Sequence, residues 1–84
     1  MAAVVIGVDP AKRSNTIEVI DAEENVLLTA RFENSREDYR RMLALVKRWP
    51  SRTWAVEGAT GVGLSLAQRL VADGERVVDV PSKL

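Results

Sequence analysis

Apolar residues in the first third of the chain form short runs with the spacing of β-strands. Residues 3–9 are almost entirely apolar and β-branched, which predicts a strand buried on both faces. Residues 15–21 alternate polar and apolar side chains, as in a half-exposed strand, and residues 26–32 form a third apolar run. Because the connections between these runs are short, we predict an antiparallel meander of three strands.

A helical pattern follows the third run. Ser35 is a suitable N-cap, and Asp38 three residues later completes a capping-box-like signal. Pro50 is expected to end this helix. Apolar residues at helical spacing predict one buried stripe, which consists of Tyr39, Met42, Leu43, Val46 and Trp49.

The second half of the chain alternates strand and helix. Residues 53–57 and 76–80 predict strands, and residues 60–73 predict a helix that Gly74 ends. The side of this helix predicted to face the sheet carries Leu66, Ala67, Leu70 and Val71. The fold class is therefore α/β, with the order βββαβαβ in one domain over residues 1–84. We expect a mixed five-stranded sheet with helices packed on it and strand 1 central, beside strand 4.

Composition limits the chemistry that this domain can perform. The chain has no histidine and no cysteine, so any metal site must be built from oxygen ligands. Its 12 basic and 12 acidic residues give no net charge that would indicate nucleic acid, and the arginine-rich stretch from 36 to 52 is interpreted as a solvated helix face. No apolar run approaches the ~20 residues of a membrane span, and no basic segment precedes the first run, so we expect neither a span nor a signal peptide.

Two of the predicted strands end in a carboxylate followed by a residue that breaks regular backbone. Asp9 precedes Pro10, and Glu57 precedes Gly58. If strands 1 and 4 are neighbours, both carboxylates lie at one edge of the sheet, where they could bind Mg²⁺ or Mn²⁺. The structural alternatives are that Asp9 caps the following turn and that Glu57 pairs with a cation, either Lys12 or Arg52.

The loops beside these acids carry further candidate chemistry. The glycine-rich segment 58–63 could offer N–H groups to a phosphate, but it lacks the P-loop and dinucleotide signatures, and close helix–strand packing explains its glycines better. Lys12 and Arg13 could bind a phosphate near the acids, neutralise them, or remain solvated. Ser14 and Thr60 have no base beside them and are not interpreted as nucleophiles.

Several segments together resemble one known family. The runs Val8-Asp9-Pro10-Ala11-Lys12, Phe32-Glu33-Asn34, Trp54-Ala55-Val56-Glu57-Gly58 and Val77-Val78-Asp79-Val80-Pro81 resemble the N-terminal part of bacterial DEDD-type insertion-sequence transposases. Their catalytic domain is similar to RuvC-type Holliday-junction resolvases on the ribonuclease H-like fold. The chain departs from the family at Pro10 and Ala11, where an aliphatic residue and serine are usual, and at Asn15, where histidine is common.

This resemblance implies a function and a set of partners. Asp9 and Glu57 would be the first two acids of a DEDD metal site using Mg²⁺ or Mn²⁺, with the other two beyond the fifth strand, so that the chain would be part of a longer enzyme. The implied reaction is metal-dependent phosphodiester cleavage and strand transfer on DNA. Because Lys12 and Arg13 lie just past Asp9, we predict them as nucleic-acid contacts. A bacterial cytoplasmic location is expected, and the use of a guide RNA stays open. A homo-oligomer is expected on a separate ground, because an unfinished sheet would expose strand edges or apolar surface that self-associates.

Two other functions remain as alternatives at this point. An actin-like or sugar-kinase ATPase shares the meander with an aspartate in strand 1, although Ala11-Lys12 does not supply the small flexible turn usual there. A non-catalytic interaction module would make both acids structural. Because two acids bind Mg²⁺ weakly, we expect no nuclease activity from residues 1–84 alone.

Overall fold

The computed structural model describes residues 3–81. Seven elements follow one another along the chain: β1 (Val4–Pro10), β2 (Ser14–Ile20), β3 (Val26–Glu33), α1 (Arg36–Val46), β4 (Arg52–Glu57), α2 (Leu64–Ala72) and β5 (Val77–Val80). The strands form one sheet in the order β3-β2-β1-β4-β5. β1 is antiparallel to β2 and parallel to β4, and β5 is parallel to β4. The predicted α/β fold with strand 1 central beside strand 4 is confirmed, and this arrangement is consistent with a ribonuclease H-like fold.

The core lies between one face of the sheet and the two helices. Ile6 of β1 and Trp54 of β4 are fully buried and belong to one apolar cluster with Met42 of α1 and Leu70 of α2. Val5, which follows the opposite parity, is 39% exposed. The expectation that the first strand is buried on both faces is therefore wrong for the described residues, since helices cover one face only.

Polar caps and glycines set the ends of the helices. The N–H of Asp38 donates to Oγ of Ser35 at 3.1 Å, which confirms the predicted N-cap of α1. α1 ends at Val46, so Trp49 packs on the core as a half-buried residue outside the helix. At the far end of α2, Gly74 has a φ of +83° and terminates the helix as predicted.

α2 begins at Leu64, four residues later than predicted, because the preceding residues form turns. In these turns the N–H groups of Gly61 and Gly63 both donate to the carbonyl oxygen of Gly58, at 2.8 and 2.9 Å. Val71 is 59% exposed, so its predicted contact with the sheet is wrong, whereas Leu70 beside it is fully buried.

Candidate metal centre at the carboxyl ends of two parallel strands

Asp9 and Glu57 end up side by side because of the register between β1 and β4. Val8 lies opposite Val56 in this parallel pair, so the next residues along the two strands are Asp9 and Glu57. Val8 and Val56 are both buried in the core, and side chains alternate along a strand, so the two acids project from the opposite, uncovered face. Both are exposed, and both line the same two surface depressions.

The part of the chain that the structure describes leaves both carboxylates without a bonding partner. Within residues 3–81, neither Asp9 nor Glu57 takes part in a side-chain hydrogen bond or an ion pair. The alternative pairing of Glu57 with Arg52 is wrong, because Arg52 forms a bidentate ion pair with Glu75 at 2.8 Å. The alternative role of Asp9 as a turn cap is also wrong, since the N–H of Ala11 donates to the carbonyl oxygen of Ser14 instead.

The glycine-rich loop holds the end of β4 firmly against the start of α2. A Cβ atom on Gly63 would lie 2.8 Å from Cγ1 of Val56 and 3.0 Å from the carbonyl oxygen of Glu57. This proximity confirms the close helix–strand packing that the sequence predicted. The N–H groups of Gly61 and Gly63 already donate to the carbonyl oxygen of Gly58, so these two groups are not available to bind a phosphate.

A third acid of this region, Asp79, has a structural role that the sequence analysis missed. Its Oδ1 accepts a 3.0 Å hydrogen bond from the N–H of Ala59 and so ties the loop after β4 to β5. Asp79 lies opposite Val56 in the β4–β5 register. It therefore shares the parity of the core face and not that of Glu57. An acid near the end of a strand, two residues before Pro81, is the signal that could have suggested such a cap.

Lys12 and Arg13 lie in the turn between β1 and β2, and both are exposed. Neither lines the two depressions that contain the acids, so the structure does not bring these cations into the candidate site. Asn34 fixes the turn: its Nδ2 donates to the carbonyl oxygens of Ala11 and Lys12, and its backbone N–H donates to that of Arg13 at 2.9 Å. The sequence analysis did not find this role of Asn34, because its partners lie more than twenty residues away.

The carboxylate oxygens of Asp9 and Glu57 suit a hard cation that keeps part of its water shell, rather than one that takes all its ligands from the protein. Two exposed carboxylates are oxygen ligands, and Mg²⁺ commonly takes one or two of these while water and substrate phosphates supply the rest. Within the described residues 3–81, no group of three or more His, Cys, Asp or Glu side chains could hold a metal ion. The residues present therefore fit part of a divalent-metal site.

Sequence comparison identifies the family. The family model for DEDD transposases of the IS110 type, described as Transposase, matches residues 6–83. The chain belongs to this transposase family. No curated protein matches the chain. Family membership makes DNA the class of substrate and favours the transposase interpretation over an ATPase. Neither helix within residues 3–81 is long and apolar enough to cross a membrane.

Proposed function

We propose that Asp9 and Glu57 supply the first two carboxylates of a divalent-metal site that serves phosphodiester cleavage and strand transfer in DNA transposition. One observation carries this proposal: in a member of a DEDD transposase family, two exposed carboxylates that have no partner within residues 3–81 lie adjacent on parallel strands. Exposure of both groups leaves room for a phosphate beside them. A purely structural pair of like charges has no evident purpose at this position.

The division of work between protein and cation follows from the scaffold. Divalent cations held by Asp9 and Glu57 would supply positive charge that stabilises the attacking and leaving oxygens of the phosphate. Asp9 and Glu57 would hold the cations at a fixed place, because β1 is the central strand and Gly63 packs tightly against the end of β4. Sites built on strands keep their geometry better than sites built on loops, so these two acids form the rigid part of the centre.

Lys12 and Arg13 are proposed to contact DNA phosphates next to the site rather than in it. Their turn stays in place because Asn34 binds its backbone, so the two cations extend from a fixed support. This placement gives them a role in holding DNA, which the DNA affinity of a Lys12→Ala, Arg13→Ala double variant would test.

Transposition by the full-length gene product tests the proposed roles of the acids. Asp9→Asn and Glu57→Gln should each lower Mg²⁺-dependent strand cleavage by about 100-fold or more, since the metal contributes several kcal/mol to the transition state. Glu18→Gln is the matched control, because Glu18 is an exposed acid on the same face. Activity of both site variants at the control level would contradict the proposal and favour the non-catalytic alternative.

A further inference from the structure

The strand registers align the candidate metal centre with an arginine on β3, an edge strand of the sheet, on the same face. Asp9 lies opposite Thr16 in the β1–β2 pair, and Thr16 lies opposite Arg31 in the β2–β3 pair. All of these residues, with Glu57, are exposed and follow the parity of the uncovered face. Neighbouring strands are about 4.8 Å apart, so the backbone of Arg31 is about 10 Å from that of Asp9.

The guanidinium of Arg31 is fixed by a neighbour on β2. Its Nε donates a 3.0 Å hydrogen bond to Oγ of Ser14, a residue that is only 7% exposed. Within residues 3–81, Arg31 forms no ion pair, and its two terminal nitrogens have no hydrogen-bond partner. A planar guanidinium held by Nε presents those nitrogens as a fork, which suits the two oxygens of a phosphate.

The charges around Arg31 favour an anion. It shares a surface depression with Arg13 and Arg41, and also with two acids, Glu33 and Asp38. Asp38 is already used, because it pairs with Arg41 at 2.9 Å and accepts a 2.7 Å hydrogen bond from the N–H of Glu33. Three arginines against two acids leave this depression with an excess of positive charge.

The other direction across the sheet, from Glu57 toward β5, is unsuitable for a phosphodiester backbone. Beyond Glu57 the row ends at Val80 of β5, which is 39% exposed, and Val78 on the same face is 47% exposed. Glu18 lies on β2 two residues after Thr16 and faces the same side of the sheet. It would repel phosphates placed farther from the sheet edge that carries Asp9 and Glu57. Among the described residues, a DNA strand that leaves the acids therefore meets favourable groups on the side of β2 and β3.

We propose that Arg31 binds a backbone phosphate of the DNA strand whose reacting phosphate lies at Asp9 and Glu57. Each strand carries one phosphate per about 3.4 Å of helix axis, so the Arg31 phosphate lies within about three nucleotides of the reacting one. This inference rests on the proposed function, because that function places DNA at the two acids. The DNA strand would then run across β2 and β3, and Ser14 would orient Arg31.

The test is the affinity of the 84-residue chain for a labelled DNA oligonucleotide in EDTA, at several salt concentrations. Arg31→Ala should weaken binding about 5- to 10-fold at low salt. It should also reduce the salt slope, which is the steepness of the fall in log binding constant with log salt concentration, by about one, as loss of one phosphate contact requires. Arg31→Lys should keep most of the slope with intermediate affinity, and Ser14→Ala should weaken binding without changing the slope. Arg40→Ala, at an exposed arginine of α1, is the matched control and should bind like the wild type.

The outcomes separate this proposal from the one on which it rests. Weaker binding by Arg31→Ala with an unchanged melting temperature supports the contact, and binding equal to that of Arg40→Ala overturns it. If Arg31→Ala does not fold, Arg31→Lys and Ser14→Ala decide by the same comparison. The proposed metal site is judged separately, by whether Asp9→Asn and Glu57→Gln abolish Mn²⁺ binding, a readout that Arg31→Ala should leave intact.

Discussion

Gly63 and Val56 are in such close contact that no side chain fits between α2 and β4 at this point. A Cβ atom on Gly63 would lie 2.8 Å from Cγ1 of Val56, a distance that real Cβ atoms essentially never show. Val56 is fully buried and directly precedes Glu57, so it cannot retreat without moving the candidate ligand. The packing of the helix and the position of the acid are therefore coupled.

Gly63→Ala should lower the free energy of unfolding by about 1–3 kcal/mol, because overpacking forces side chains or backbone to shift. The matched control is Gly61→Ala, whose added Cβ atom would meet its nearest neighbour at an ordinary 3.7 Å. That control should be neutral or stabilise by up to about 1 kcal/mol through the unfolded state. Urea unfolding monitors both variants, and equal stabilities would show that the close contact is not limiting.

Glu75 makes stability depend on pH at the other end of β4. Its carboxylate accepts two hydrogen bonds from Arg52 and a 2.7 Å bond from the indole N–H of Trp54, which is fully buried. The bonds from Arg52 lower the pKa of Glu75 the most, burial opposes them, and Trp54 lowers the pKa further. Because the pKa of Glu75 is lowered in the folded state, its carboxylate contributes its full stabilisation of the fold above about pH 4.5, the ordinary pKa. This stabilisation is lost as the pH falls through the lowered pKa.

Glu75→Gln should therefore cost about 2 kcal/mol at pH 7, the size expected for hydrogen bonds to a charged group. The variant should also lose less stability than the wild type when the pH is lowered from 6 to 3. Thermal unfolding with tryptophan fluorescence measures this difference. Parallel pH profiles of the two proteins would contradict the role given to Glu75.

The adjacent carboxylates of the candidate site should cost stability when no cation is present. Like charges opposite each other on neighbouring strands repel, typically by about 0.2–1 kcal/mol. In EDTA, Asp9→Asn and Glu57→Gln should each raise the free energy of unfolding by an amount in that range. The double variant should gain less than the sum of the two, because one substitution already removes the repulsion. Destabilisation by both single variants would mean that the acids support the fold.

Much of this fold could be predicted from the sequence, because strand periodicity, the Ser35 cap and the Gly74 stop are local signals. The adjacency of Asp9 and Glu57 also followed, since the strand order fixed which ends meet. Exposure of Val5 was missed because an apolar run does not show how many layers cover it. The Arg52–Glu75 pair and the Asn34 contacts depend on residues more than twenty positions apart, and no local pattern reports them.

The most direct test of the central claim is NMR of the 84-residue chain titrated with Mn²⁺, whose unpaired electrons broaden nearby amide signals. We predict that substoichiometric Mn²⁺ first broadens the amides of Asp9, Glu57 and Gly58, and that excess Mg²⁺ reverses the effect. Asp9→Asn combined with Glu57→Gln should abolish this broadening, while Glu18→Gln should preserve it. Broadening centred on other acids, or unchanged in the double variant, would contradict a divalent-metal site at these strand ends.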